Sequence, residues 1–61
     1  MSDKEKLEAL LTEFGVGYDR DTEANEIICY QGSTKVIGYS GFLTAFKFDD
    51  NGNFINMGAW E

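Results

Sequence analysis

Residues 49–53, with the sequence Asp-Asp-Asn-Gly-Asn, bring together four side chains with oxygen atoms that could bind calcium. An EF-hand calcium loop needs a glycine at its sixth position and a bidentate glutamate at its twelfth. Counted from Asp49, those positions hold Phe54 and Trp60. Asp, Asn and Gly are also the residues that tight turns prefer. The segment therefore predicts a hairpin turn and no metal site.

Cys29 and Ser40 are the residues whose sequence contexts could indicate a nucleophile. Each would need a nearby base, which is most often histidine, and the chain contains no histidine. Cys29 lies in the apolar run Glu26–Tyr30, where a free thiol behaves as a small apolar side chain. The short motif Gly32-Ser-Thr-Lys35 lacks the first glycine of a phosphate-binding loop and predicts a turn. We expect no enzymatic activity and no cofactor.

The chain has 61 residues, with eleven acidic against five basic side chains, which gives a net charge of −6. A negative field of this kind repels phosphate backbones and attracts basic protein surfaces, although acidic residues also simply keep a small protein in solution. No stretch approaches the ~20 apolar residues of a membrane span, and residues 1–6 lack the apolar segment of a signal peptide. The expectation is a soluble, cytoplasmic protein that binds neither membranes nor nucleic acid directly.

An N-terminal helix over residues 2–14 is predicted by three local signals. Ser2 and Glu5 form the S-x-x-E pattern of a capping box. The apolar residues that follow have helical spacing and are Leu7, Leu10, Leu11 and Phe14. Gly15 comes directly after this stripe, where a helix commonly ends in the left-handed conformation.

The remainder of the chain predicts short antiparallel strands, because β-branched and aromatic residues alternate with turn residues. The predicted strands are residues 26–31, 35–40, 42–49 and 53–60, and a further short edge strand at residues 16–19 is left open. The expected fold is therefore α+β: one domain over residues 1–61, with the helix packed on a small antiparallel meander of three to five strands.

The register of the last hairpin decides which side chains share a face, and two registers are open. A two-residue type I′ turn at Asn51-Gly52 would place Phe48 opposite Ile55, with Phe54 and Trp60 on the face that also carries Leu43. A longer loop would place Phe48 opposite Phe54, and Phe54 and Trp60 would then join the face of Phe48. In either register both faces are partly apolar, and one helix can cover only one of them.

The uncovered face is the predicted contact surface, because aromatic residues dominate the energetics of protein interfaces. The residues predicted to bind a partner are Trp60, Phe54, Leu43, Tyr39 and Lys47. A stacking platform for single-stranded nucleic acid would need more basic residues than Lys35 and Lys47 provide.

Two segments, Gly38-Tyr39-Ser40-Gly41-Phe42 and Phe46–Glu61, resemble the carboxyl-terminal hairpin of small uncharacterised proteins that bacteriophages and prophages of Gram-positive bacteria carry. The resemblance covers about the last third of the chain and consists of a strand, a turn and a strand. It implies a viral origin and an accessory role in the host cytoplasm, and it brings no active site.

Two hypotheses about function follow. The first is a non-enzymatic interaction protein, a phage product that binds and inhibits a host factor such as a defence or nucleic-acid-binding protein. The second is a structural or assembly protein that forms a homodimer or larger homo-oligomer through its sheet. A domain this small usually gains stability from disulfides, a metal or association. With one cysteine and no histidine in the chain, association with a partner or with itself is the favoured route.

Overall fold

The computed structural model describes residues 1–61 and has one helix followed by a four-stranded sheet. The elements are α1 (Asp3–Glu13), β1 (Asp19–Asp21), β2 (Glu26–Tyr30), β3 (Leu43–Phe48) and β4 (Phe54–Trp60). All neighbouring strands are antiparallel, and their order in the sheet is the order in the chain. The predicted α+β class is thus confirmed. The helix α1 is not long and apolar enough to cross a membrane.

Both ends of α1 are closed by the residues that the sequence indicated. The Ser2 side chain accepts a hydrogen bond from the Glu5 N–H, and the Glu5 carboxylate accepts one from the Ser2 N–H. At the other end Gly15, with φ +70°, donates to the Thr12 carbonyl and Val16 donates to the Leu11 carbonyl. These two bonds form a Schellman motif, which satisfies carbonyl groups that the helix itself leaves free.

The strand predicted at residues 35–40 is wrong: these residues belong to a loop that joins β2 to β3. The N–H groups of Gly32 and Ser33 both donate to the Val36 carbonyl, and the Val36 N–H donates to Ser33 Oγ. This local turn uses backbone groups that a strand ladder would need. The fourth strand is instead β1, which begins at Asp19. The edge strand left open at residues 16–19 overlaps it only at this residue.

The last hairpin combines the two registers. Gly52, with φ +82°, donates to the Asp49 carbonyl, and Asp49 pairs with Asn53 across a loop of three residues instead of the two of a type I′ turn. Phe48 therefore lies opposite Phe54, as in the longer-loop alternative. A bulge between Lys47 and Phe48 then shifts the ladder by one residue, so that Phe46 lies opposite Met57, as in the shorter-loop alternative.

The bulge separates the two aromatic residues of β4 onto opposite faces. Phe54 contacts the Phe48 ring edge-on at 6.0 Å and lies on the face that α1 covers. Trp60 pairs with Leu43 on the face without a helix. Each register considered from the sequence is therefore wrong for one of these residues: the first for Phe54 and the second for Trp60.

The helix covers its face of the sheet unevenly. On β2, Ile27 is 0% exposed and Cys29 is 5% exposed, whereas on β3 the neighbouring Phe46 and Thr44 are half-buried. On β4, Met57 is 56% exposed. An ion pair between Glu8 and Arg20 links the helix to β1. The start of the helix is held to the β3–β4 hairpin by hydrogen bonds from Lys4 N–H to the Gly52 carbonyl and from Phe54 N–H to the Asp3 carboxylate.

Candidate interaction surface

The helix-free face begins with an apolar row that crosses three strands. Tyr30 on β2 pairs with Leu43 on β3, and Leu43 pairs with Trp60 on β4. The two aromatic side chains at the ends of this row are 54% and 60% exposed, and no other element of the chain covers them. Side chains of this kind supply much contact area for little loss of conformational freedom.

The next row of the same face consists of Ile28, Ala45 and Gly58. Ala45 is buried and lies between Ile28 and Gly58. The Trp60 indole lies over Gly58, since a Cβ atom placed there would be 3.4 Å from the indole Nε1. The glycine thus leaves room for the Trp60 ring to lie against the strand.

The row at the opposite end of this face is charged. Glu26 pairs with Asp21 and with Lys47, and Lys47 pairs with Asn56. Asp19 pairs with Ile28 and points to the same face. Three carboxylates and one ammonium group therefore lie on the same face as the apolar row, which makes the face acidic as well as aromatic.

The other face of the sheet has an apolar groove between α1 and the β3–β4 hairpin. The groove has a volume of about 300 Å³. Its lining residues are Asp3, Lys6, Leu7, Leu10, Phe46, Phe48 and Phe54. None of these residues lies on β1 or β2. The groove therefore lies on the helix side of the sheet, where the helix leaves part of β3 and β4 uncovered.

The two edges of the sheet differ in length and charge. The β1 edge is three residues long and consists of Asp19, Arg20 and Asp21, a pattern that protects an edge from pairing. The β4 edge is seven residues long and contains no charged side chain. Its apolar residues include Ile55 and Met57, both about half exposed.

The five residues predicted to bind a partner are brought together only in part. Trp60, Leu43 and Lys47 share the helix-free face, whereas Phe54 lies on the helix side. Tyr39 lies in the loop before β3, 6.3 Å from the Phe42 ring, and is largely exposed. The sequence prediction missed Tyr30, although its place at the end of a predicted strand could have indicated it. Ile37, which was assigned to a strand, is an exposed loop residue outside this face.

Three acidic side chains, two carboxyls and one thiol, have shifted pKa values, and each shift has a structural cause. Burial raises the pKa of Cys29, so the thiol stays protonated. The pKa of Asp49 is lowered by hydrogen bonds, chiefly from the backbone N–H of Asn53. The pKa of Glu5 is lowered in the same way by the Ser2 backbone N–H. All three groups close a turn, cap a helix or fill the core.

Comparison of the chain with protein-family models, with curated proteins and with solved structures found no match. The geometry described above is therefore the basis for any assignment of function.

Proposed function

We propose that this protein is a non-enzymatic, protein-binding domain that contacts its partner through the helix-free face of its sheet. The observation that carries the proposal is the row formed by Tyr30, Leu43 and Trp60, in which two aromatic side chains are more than half exposed. Exposed aromatic residues that lie side by side on a rigid sheet are typical centres of protein interfaces.

The partner we propose is a basic protein. The carboxylates of Asp19, Asp21 and Glu26 lie on the same face as the aromatic row, and the whole chain carries a charge of −6. This field would speed the approach of a positively charged partner and disfavour acidic ones. Together with the resemblance to phage proteins, it makes a nucleic-acid-binding or defence protein of a bacterial host the proposed target, and inhibition of that target the proposed role.

The test is capture of a basic partner by tagged protein from a lysate of a Gram-positive bacterium, quantified by mass spectrometry. A double variant, Tyr30→Ser with Trp60→Ser, removes both exposed aromatic side chains of the row. We expect the captured partner to be lost with this variant and weakened at high salt for the wild type, because screening reduces electrostatic attraction.

The matched control is Ile37→Ser, which removes an exposed apolar side chain from a loop outside the face. This variant should capture the same partner as the wild type. Circular dichroism of all variants verifies that they are folded. Capture that is equal for the wild type and the double variant would refute the proposal.

A further inference from the structure

The exposed β4 edge has its free hydrogen-bonding groups at two positions. The Phe48 N–H donates to the Asn25 carbonyl, and the Gln31 N–H donates to the Phe42 carbonyl. The backbone N–H and C=O groups of the even-numbered residues of β3 therefore point toward β2. Along an antiparallel strand the backbone groups of successive residues point to opposite neighbours, so the N–H and C=O groups of the odd-numbered residues of β3 point toward β4. Their partners on β4 are Asn56, Gly58 and Trp60, which leaves the N–H and C=O groups of Met57 and Ala59 directed away from the sheet.

These two positions are symmetric about Gly58. If a second copy of β4 lies antiparallel with Gly58 opposite Gly58, Met57 of each copy lies opposite Ala59 of the other. Each such pair exchanges two hydrogen bonds, so that four free donors and four free acceptors are satisfied around one twofold axis. Gly58 of each copy forms a non-hydrogen-bonded pair on the axis, where the Cα atoms of antiparallel strands approach most closely. Because glycine has no side chain, this close approach causes no collision between the two residues.

The charge distribution makes the β4 edge the place where a second copy would meet the least repulsion. Two molecules that each carry −6 repel one another over most of their surfaces. Residues 54–60 contain no charged side chain, so two copies can meet there without placing like charges in opposition. In this register the carboxylate nearest to β4 along the chain, that of Glu61, lies opposite Ile55 of the other copy and not opposite an acid.

The pairing would also cover apolar surface that the monomer leaves open. Both helices lie on the same side of the joined sheet, and Met57 and Ala59 of the two copies form a continuous strip between them. Met57 is 56% exposed in the single chain, and the apolar groove with Leu10 and Phe54 adjoins this strip. On the other side, Trp60 lies beside Asn56 of the second copy.

From these observations we infer that the chain forms a twofold symmetric dimer in which two β4 strands pair antiparallel about Gly58 and make one eight-stranded sheet. This interface uses the β4 edge of the sheet, whereas the partner proposed above contacts the helix-free face, and Trp60 lies where the two adjoin. The dimer would place two such faces side by side.

The first experiment is sedimentation velocity of the full chain over a wide range of concentration. The variant Ala59→Pro removes an N–H that points away from β3, and proline is tolerated at such edge positions. It should abolish the dimer and leave the far-ultraviolet circular dichroism unchanged. Ala59→Ser keeps the N–H and should remain dimeric.

The second experiment tests the register by disulfide formation in a Cys29→Ala background. Gly58→Cys places two thiols across the axis, where a pair of facing Cα atoms about 4.5 Å apart lies within the range that a disulfide spans. This variant should be cross-linked rapidly under mild oxidation. Asn56→Cys, on the same strand and face, should not be, because residue 56 of one copy lies opposite residue 60 of the other.

The inference would be overturned by a monomer at every concentration, or by a dimer that Ala59→Pro leaves intact. Cross-linking of Met57→Cys in place of Gly58→Cys would overturn the register. A monomer that still captures a basic partner would refute the dimer and leave the proposed function standing. A dimer that captures nothing would do the reverse.

Discussion

At the scale of single residues, Cys29, Asp49 and Glu5 each make contacts that stabilise the fold. Cys29 lies on the face that the helix covers and is 5% exposed. The carboxylates of Asp49 and Glu5 accept hydrogen bonds from backbone N–H groups. The interpretation of Cys29 as a core residue, and of residues 49–53 as a turn, is confirmed. These interpretations could be made from the sequence because they depend on immediate neighbours.

Cys29 should make stability fall at alkaline pH. Burial raises its pKa above the ordinary thiol value of about 8.5. The folded state therefore holds its proton at a pH where the unfolded state has lost it. The stabilising contribution is fully present below the ordinary pKa and is lost as pH rises through the folded-state pKa.

Chemical denaturation of the wild type and of Cys29→Ala at neutral pH and at about pH 10 measures this effect. We expect the midpoint of the wild type to fall more than that of the variant between the two conditions, since the two proteins differ only at this thiol. An equal fall in the two proteins would contradict the assignment. Native Cys29 should also react slowly with iodoacetamide at neutral pH, and rapidly once denaturant is added.

At the scale of secondary-structure elements, the helix was predictable and the connection between β2 and β3 was not. The helix is specified by signals within its own sequence, namely Ser2, Glu5, the leucine stripe and Gly15. The connection contains Val36 and Ile37, whose side chains favour strands. Three positive-φ glycines, Gly32, Gly38 and Gly41, and the turn around Val36 nevertheless make it a loop.

The bulge in the last hairpin was also beyond the sequence prediction. Asn-Gly favours a two-residue turn, but the Asp49 side chain accepts hydrogen bonds from the N–H groups of Asn51 and Asn53 and stabilises a longer loop. The extra loop residue shifts the register at the turn, and the bulge restores it further along. Two competing local preferences therefore both appear in one hairpin, and sequence patterns alone did not rank them.

Gly52 joins the start of the helix to the hairpin turn, and its replacement should destabilise both. The Gly52 carbonyl accepts a hydrogen bond of 3.0 Å from the Lys4 N–H. A Cβ atom at this position would lie 2.8 Å from the Ser2 side chain, and φ is +82°. Gly52→Ala should therefore lower the free energy of unfolding by about 1–3 kcal/mol, through backbone strain and displacement of the helix cap.

Thermal or urea denaturation measures this change. Gly17→Ala is a suitable control, because nothing lies within 4 Å of a Cβ atom at Gly17 and its φ is not in the left-handed region. This control should change stability little. A Gly52→Ala protein as stable as the wild type would show that the contact between turn and helix has no energetic importance.

At the scale of the whole molecule, the hydrophobic core is small and lies off centre. Its buried apolar side chains are Ile27, Cys29, Ala45 and Phe48, and no residue of the helix is fully buried. The sequence predicted that one helix could not cover all of the apolar surface. It could not predict where the helix would lie on the sheet, because that depends on contacts between residues distant in the sequence, such as the Glu8–Arg20 ion pair and the Lys4–Gly52 hydrogen bond.

A core of this size makes Ile27 disproportionately important. Ile27→Ala should cost about 2–5 kcal/mol, a large share of the roughly 3–9 kcal/mol expected for a domain of this length. A substantial unfolded population in the variant at room temperature is the expected result. Circular dichroism during urea titration measures it.

The matched control, Ile37→Ala, removes the same atoms from a side chain that is 86% exposed. It should change the free energy of unfolding by less than about 0.5 kcal/mol. Similar losses for the two variants would mean that the core does not lie where the structure places it.

The contact between Trp60 and Gly58 has a practical consequence for studying this protein. The chain contains one tryptophan, and its indole lies on the helix-free face directly over the glycine at the proposed axis. Its fluorescence therefore reports from a single known place, without labelling. A blue shift on concentration or on addition of a ligand would locate the event at this end of the sheet, and quenching by iodide would measure how much of the indole remains open to water.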